Sequence, residues 1–272
     1  MHRLPNRAIL TLTGPDTLAL LERTVTHTVA DWTEGEARYG ALLTPQGKII
    51  ADYIAHRTAD GVQIDVHEDA ADDLLKRLKM FRLRSAVEIS RDETLAAVSG
   101  ESGDDDPRSA LLFWRSVAPV SDVTGETDPA LYEKKRIAAG VPEWGRDYRA
   151  AEVFPTDVNM DLMHGIDYKK GCFVGQEVAS RMKRKALIRK RTVQLRGSAL
   201  APGAEVRAGE SLLGTVTSVA GDEGLALIRT DRFAQSVKAK QAVTAGGAPA
   251  EIEGAPWLIA ELASLMEAGA NE

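Results

Sequence analysis

From Thr192 onward the chain is punctuated too often to run as long helices. Short β-rich stretches, Thr192–Leu195, Leu212–Val219 and Leu225–Ile228, alternate with Gly, Pro and Asp, the pattern of a small antiparallel barrel. Trp257 to Met266 then has the spacing of a closing amphipathic helix. The chain before Thr192 mixes the two periods. Ala8-Ile9-Leu10-Thr11-Leu12 reads as a strand, and Pro15 suits the opening turn of a helix whose buried face is Leu18, Leu21 and Val25. Residues from about Arg38 to Val66 alternate as strands, broken at Pro45-Gln46-Gly47 and Asp60-Gly61 by hairpin turns. Leu74, Leu75 and Leu78 mark a second helix, and Val87-Glu88-Ile89 a return to strand. Glu101 to Pro107, with Asp104-Asp105-Asp106, reads as an exposed loop, and a third helix runs from Asp128-Pro129 to Gly140. The expected fold is an α+β body followed by a C-terminal antiparallel β-barrel.

Eight consecutive residues carry the chemistry: Lys170-Gly171-Cys172-Phe173-Val174-Gly175-Gln176-Glu177. Cys172 is the only cysteine in 272 residues. Gly171 permits a tight turn or positive φ, and Gly175 permits close approach of another group. Val178 and Met182 are spaced as one face of a helix opening near Gly175. Cys172 would lie near its N-terminus, where Lys170 and the partial positive charge of the helix end favour thiolate. A buried packing cysteine accounts for the local pattern equally well. His164, eight residues upstream, is a weaker candidate as a thiol-activating base.

Around the octet the charge is lopsided. Between Lys169 and Arg191 stand nine basic residues against the single acid Glu177, in a chain whose net charge is −6. Such a run concentrates anions, whether ligand carboxylates, which arginine grips in bidentate fashion, or RNA phosphates. With 44% hydrophobic and 27% charged residues the chain supports a large core or several small ones. A lone cysteine excludes an internal disulfide and a four-thiolate cluster site, and it fits a reducing compartment. The five histidines show no ligand spacing, so no metal site is expected. No secretory h-region and no membrane-length apolar stretch appear, which makes the cytoplasm the expected address.

Lys-Gly-Cys-aromatic-x-Gly-Gln-Glu resembles the signature of the YgfZ-type folate-binding proteins, relatives of the glycine-cleavage aminomethyltransferase. Arg136-Ile137-Ala138-Ala139-Gly140-Val141-Pro142 and Asn159-Met160-Asp161-Leu162-Met163-His164-Gly165-Ile166 resemble the family's approach to the motif. Ala179-Ser180-Arg181 and Ile188-Arg189-Lys190-Arg191 resemble its exit, and Leu43-Thr44-Pro45-Gln46-Gly47-Lys48-Ile49 fits near the N-terminus. The resemblance implies three domains around a central folate site: residues 1–45 with 129–188, residues 46–128, and residues 189–272 as the barrel. It also implies a tetrahydrofolate-binding accessory protein for assembly or repair of iron–sulfur enzymes, with a reduced folate and iron–sulfur client or assembly proteins as partners. In that reading Cys172 and Lys170 are the reactive pair. Gly171, Phe173, Gly175, Gln176 and Glu177 shape or contact the pterin site, and Arg181 and Arg191 meet folate carboxylates. Glu177 alternatively pairs with Arg181 along the helix. Ala138 stands where the aminomethyltransferases carry an acid, and Thr26-His27-Thr28 replaces their Thr-x-Asp, so aminomethyltransferase activity is not expected. Two alternatives stay open: a folate-dependent one-carbon transferase with another acceptor, and an RNA-binding module using residues 181–191.

Overall fold

The computed structural model describes residues 1–100, 105–184 and 188–268. The body runs β1 (His2–Arg3), β2 (Arg7–Thr13), α1 (Thr17–Thr24), β3 (Ala37–Leu43), β4 (Ile49–Thr58), β5 (Gly61–His67), α2 (Glu68–Arg82), β6 (Glu88–Arg91), β7 (Leu95–Gly100), β8 (Trp114–Pro119), β9 (Gly125–Glu126), α3 (Pro129–Ala138) and α4 (Gln176–Arg184). The remainder is β10 (Lys190–Gly197), β11 (Glu205–Ala208), β12 (Ser211–Ala220), β13 (Glu223–Arg229), α5 (Thr230–Lys238), β14 (Val243–Ala245), β15 (Ala248–Ile252) and α6 (Pro256–Ala268). The first part of the loop expected at Glu101–Pro107 lies outside the described residues.

An antiparallel sheet in the order β3-β4-β5-β2-β6 forms the base of the body. Its hairpins turn where the sequence indicates, at Pro45–Gly47 and Ala59–Asp60. The division expected between residues 45 and 46 falls in the first of these turns. The two strands pair across it from Ala37↔His56 to Leu43↔Ile49, so the sheet is continuous there.

Strand β4 departs from the expected alternation: Ile49 to His56 are all buried. The reason lies in the segment after α3. Trp144 Nε1 donates to Ile50 O at 3.0 Å, and Ile49 is tied to Val153 and Ala151 by Ile49 N→Val153 O and Ala151 N→Ile49 O. Trp144, Tyr148 and Val153 thus join the same core as Leu20, Leu21, Leu74 and Leu78 of α1 and α2. A strand covered on both faces reads as a nearly continuous apolar run. In α1 the inward pair is Leu20–Leu21, while Leu18 is only half-buried.

A second sheet, β8-β7-β1-β9, has its own small core around Leu4, Ile9, Ala97 and Tyr132. Helix α3 begins as expected: Pro129 occupies its first turn and Asp128 accepts from Ala130 N at 2.9 Å. The barrel closes in the order β10-β13-β12-β11-β14-β15, with a separate core capped by Phe233 of α5 and Leu258 and Leu262 of α6. Polar contacts fix it to the body. Asn159 Nδ2 donates to Thr192 O at 2.7 Å, Gln194 Nε2 to Ala138 O at 2.9 Å, and Arg136 Nη2 to Ser218 Oγ at 2.9 Å.

Candidate functional site

Residues 164 to 175 have no regular structure, yet several of them are tied to the body. Thr26 Oγ1 donates to Gly165 O at 2.7 Å and Asp167 N to Thr26 O at 2.9 Å. Lys170 turns inward. Its Nζ donates to Val25 O at 2.9 Å and His27 O at 2.5 Å and lies 3.4 Å from Glu22 Oε2. Those carbonyls follow the C-terminus of α1, where an ammonium is electrostatically favoured. Burial lowers the Lys170 pKa and Glu22 opposes that shift. Phe173 is buried under the same ammonium, 5.5 Å from its ring centroid. Gln176 closes the loop by donating from Nε2 to Lys170 O at 3.3 Å.

With Lys170 and Phe173 inside, Cys172 is left exposed between them and the helix. The expected partnership of Cys172 with Lys170 is corrected by this geometry, because the ammonium is committed to α1 and Glu22. Gly171 is also reassigned. It has no positive φ, and a Cβ there would meet open space. Gly175 behaves as expected. Its φ is +78°, and a Cβ would stand 2.5 Å from Thr44 O and 3.0 Å from Leu43 Cβ, so the β3–β4 turn packs directly on the start of α4. Gly175→Ala should therefore destabilise the fold by about 1–3 kcal/mol, as a residue forced into a sparsely populated backbone region. A urea midpoint equal to that of the wild type would show that the turn does not press on this residue.

The basic run divides in two. Arg191 is buried, paired with Asp161 at 2.6 Å and with Glu261 of α6 at 3.0 Å, and it donates to Thr156 O at 2.9 Å. Its fork is filled by protein, which corrects its expected role at a folate carboxylate. Lys169, Arg181, Lys183, Arg184, Arg189 and Lys190 are exposed, with Lys183 paired to Asp161 at 2.8 Å. Lys185 lies outside the described residues. Glu177 and Arg181 are both exposed, and neither forms an ion pair among the described residues. Beside α4 lies an open cleft of about 450 Å³ lined by Tyr168, Gln176, Glu177, Ser180, Lys183 and Arg184.

A second cleft, of about 350 Å³, opens between residues 27–30, β3 and the segment 163–167. His27, Arg38, Tyr39, Met163, His164 and Asp167 line it. His164, the weaker candidate for a thiol-activating base, is exposed and lines this cleft. Burial pulls the His27 pKa down to about 3. Its Nδ1 lies 3.0 Å from Thr28 O, which can only accept, so Nδ1 carries the proton and the buried Nε2 is an acceptor without a donor. Beneath the cleft, Asp52 Oδ2 accepts from Tyr39 OH at 2.9 Å and Tyr148 OH at 2.8 Å. Sequence reading missed Asp52. The signal was a lone acid amid the apolar run Ile49-Ile50-Ala51-Asp52-Tyr53-Ile54.

His27 sets a pH dependence of stability. Its folded pKa lies below the ordinary 6.5, so on acidification the unfolded chain takes up a proton that the folded chain refuses. Stability should be full above about pH 6.5 and fall on the way down by about 1.4 kcal/mol per pH unit from this residue. Buried His56 and half-buried His67, also shifted down, add to the slope. Urea midpoints between pH 6.5 and 4.5 measure it. His27→Gln should flatten the curve, and an unchanged slope would remove His27 as its source.

Between the two body sheets the interior is ionic. Asp65 bridges Arg7 at 2.6 Å and Arg115 at 2.7 Å, and Asp106 pairs with Arg108 at 2.8 Å. Tyr132 OH donates to Glu143 at 3.0 Å and accepts from Arg108 and Arg115. Arginines hold Glu143 down at about 2 despite its burial. The space left beside Arg7, Arg115, Tyr132 and Glu143 is about 20 Å³, room for roughly one water. Among the described residues, no group of three or more His, Cys, Asp or Glu is arranged to hold a metal ion, and no helix is long and apolar enough to cross a membrane.

Comparison with known proteins places these features. Residues 189–259 match the family described as the CAF17 C-terminal beta-barrel domain. The chain is 28% identical over 227 residues to the mitochondrial iron-sulfur cluster assembly factor IBA57 homolog of Mycosarcoma maydis, covering 72% of this chain and 56% of that protein. It is 27% identical over 282 residues to human mitochondrial iron-sulfur cluster assembly factor IBA57, covering 85% and 78%. The chain spans just over half the length of the fungal relatives it matches. These relatives are mitochondrial proteins and lend no support to a cytoplasmic address. The glycine cleavage system aminomethyltransferase T of Bartonella henselae superposes with a TM-score of 0.74 over 94% of this chain and 85% of its own, at 16% identity. The architecture is therefore that of the aminomethyltransferase fold, an α+β body carrying a closed antiparallel barrel.

Proposed function

We propose that this chain serves the assembly of iron–sulfur clusters, the task for which its curated relatives are named, and that Cys172 is the thiol that meets the cluster. The exposed position of Cys172 carries this reading. Lys170 and Phe173 on either side are held by buried contacts, and the one soft ligand faces outward. A single thiolate cannot hold a cluster alone, so the cluster arrives as cargo on a partner protein that supplies the other ligands, and Cys172 completes or exchanges one of them.

We further propose that the chain is of the YgfZ type and binds a reduced folate. The space between the body sheets is closed by ion pairs, but the cleft beside His27 fits a flat, hydrogen-bonding ring. His27, the carboxylate of Asp167 and the side chains of Tyr39 and Met163 line it, and the buried His27 Nε2 is an acceptor without a donor among the described residues. Arg38, half-buried at the same cleft, is nearer to a tail carboxylate role than Arg191. Bound tetrahydrofolate would supply one-carbon or reducing chemistry. Gln176 maintains the motif loop, and Glu177 and Arg181 remain open to solvent.

Anaerobic thermal unfolding with tetrahydrofolate tests the second part. Saturating ligand should stabilise the wild type by about 2.7 kcal/mol at a hundredfold excess over Kd, and His27→Phe should lose the shift. No shift in the wild type removes folate from the account. Salt-steep RNA binding through Lys183 and Arg184 would replace it with a nucleic-acid role.

A further inference from the structure

The C-terminal end of α2 presents an apolar tip that the fold does not use. Leu83 is 81% exposed and Met80, three residues earlier on the helix, is 59% exposed. Leu83 is also held in an unfavourable backbone. With φ 51° and ψ −112° it occupies the first central position of a type II′ turn, closed by Ser85 N→Arg82 O at 2.9 Å. That position belongs to glycine, since a side chain there is strained. Glycine would suit the turn, yet the chain places there the most exposed large apolar side chain among the described residues. Around the tip stand Lys76, Lys79 and Arg84, all exposed and without an ion pair among the described residues. The acids of α2, Glu68, Asp69, Asp72 and Asp73, lie in its first half, and Asp73 is paired with Arg77.

We propose that this tip docks reversibly on an anionic lipid surface, with Leu83 and Met80 entering the headgroup boundary and Lys76, Lys79 and Arg84 facing lipid phosphates. Two apolar side chains and three cations make a footprint far smaller than the roughly 800 Å² per partner of a stable protein interface. They suit an interfacial contact, in which apolar insertion and basic residues act together.

Co-sedimentation of the full chain with phosphatidylcholine vesicles, with and without phosphatidylglycerol, tests this. The wild type should pellet only with the anionic vesicles and be released by salt. Leu83→Gly should reduce binding at least tenfold while raising the melting temperature, because the turn relaxes. A Lys79→Glu/Arg84→Glu variant should abolish binding, whereas Arg189→Glu on the motif side should retain it. Absence of wild-type binding, undiminished binding by Leu83→Gly, or loss through Arg189→Glu would overturn the proposal. So would failure on vesicles together with binding of an acidic amphipathic peptide through Leu83, which would make the tip a protein contact.

Discussion

Arg136→Ala is expected to lower the free energy of unfolding by about 3–5 kcal/mol, the cost of breaking a buried ion pair from one side. Arg136 is completely buried, and its guanidinium is the knot between body and barrel. Nη1 donates to Val141 O at 2.7 Å and to Asp147 Oδ2 at 2.6 Å, and Nη2 donates to Glu133 and to Ser218 Oγ of β12. Asp147 in turn accepts from Thr217 Oγ1 of the same strand at 2.5 Å. Truncation takes the buried cation from Asp147 and leaves Glu133 and Glu143 with only the exposed Arg146, at 2.8 Å and 3.3 Å. Against a typical total of about 5–15 kcal/mol, that loss is visible as a large drop in the urea midpoint. Arg136→Lys keeps the charge but not the fork, and it should fall between. A midpoint unchanged in Arg136→Ala would mean that this ion-pair cluster does not seat the barrel.

Cys172→Ser should show the opposite profile. The side chain is exposed and accepts no structural load, and surface substitutions of this kind usually change stability by less than about 0.5 kcal/mol. If the thiol meets the cluster, the same change should abolish support of iron–sulfur enzymes in cells lacking the native protein. A hydroxyl at this position has neither the softness nor the acidity of a thiol. Retained support in cells would reduce Cys172 to a bystander.

The local signals in the sequence translated into structure where the partners are also local. Pro45–Gly47 makes its turn, Asp128-Pro129 starts its helix, and the runs after Thr192 close into a barrel. Lys170 and Arg191 were misread because what decides them is far away in the chain. The Val25 carbonyl that accepts from Lys170 lies 145 residues earlier, and Glu261, which pairs with Arg191, lies 70 residues later. Read locally, Lys170 is a cation beside a thiol and Arg191 a free cation for a ligand carboxylate. The burial of β4 on both faces has the same origin, since its second cover comes from Trp144 to Val153. Asp52 was passed over because nothing near it in sequence marks Tyr148, which is 96 residues on, as its partner.

Anaerobic activation of an apo iron–sulfur enzyme by a cluster-loaded donor protein, with this chain present as wild type or as Cys172→Ser, tests the central claim most directly. The wild type should accelerate recovery of the enzyme's cluster absorbance and activity, and the serine variant, equally folded by circular dichroism, should leave the rate at that of the donor alone. Equal acceleration by both proteins would contradict the assignment of Cys172 as the group that meets the cluster.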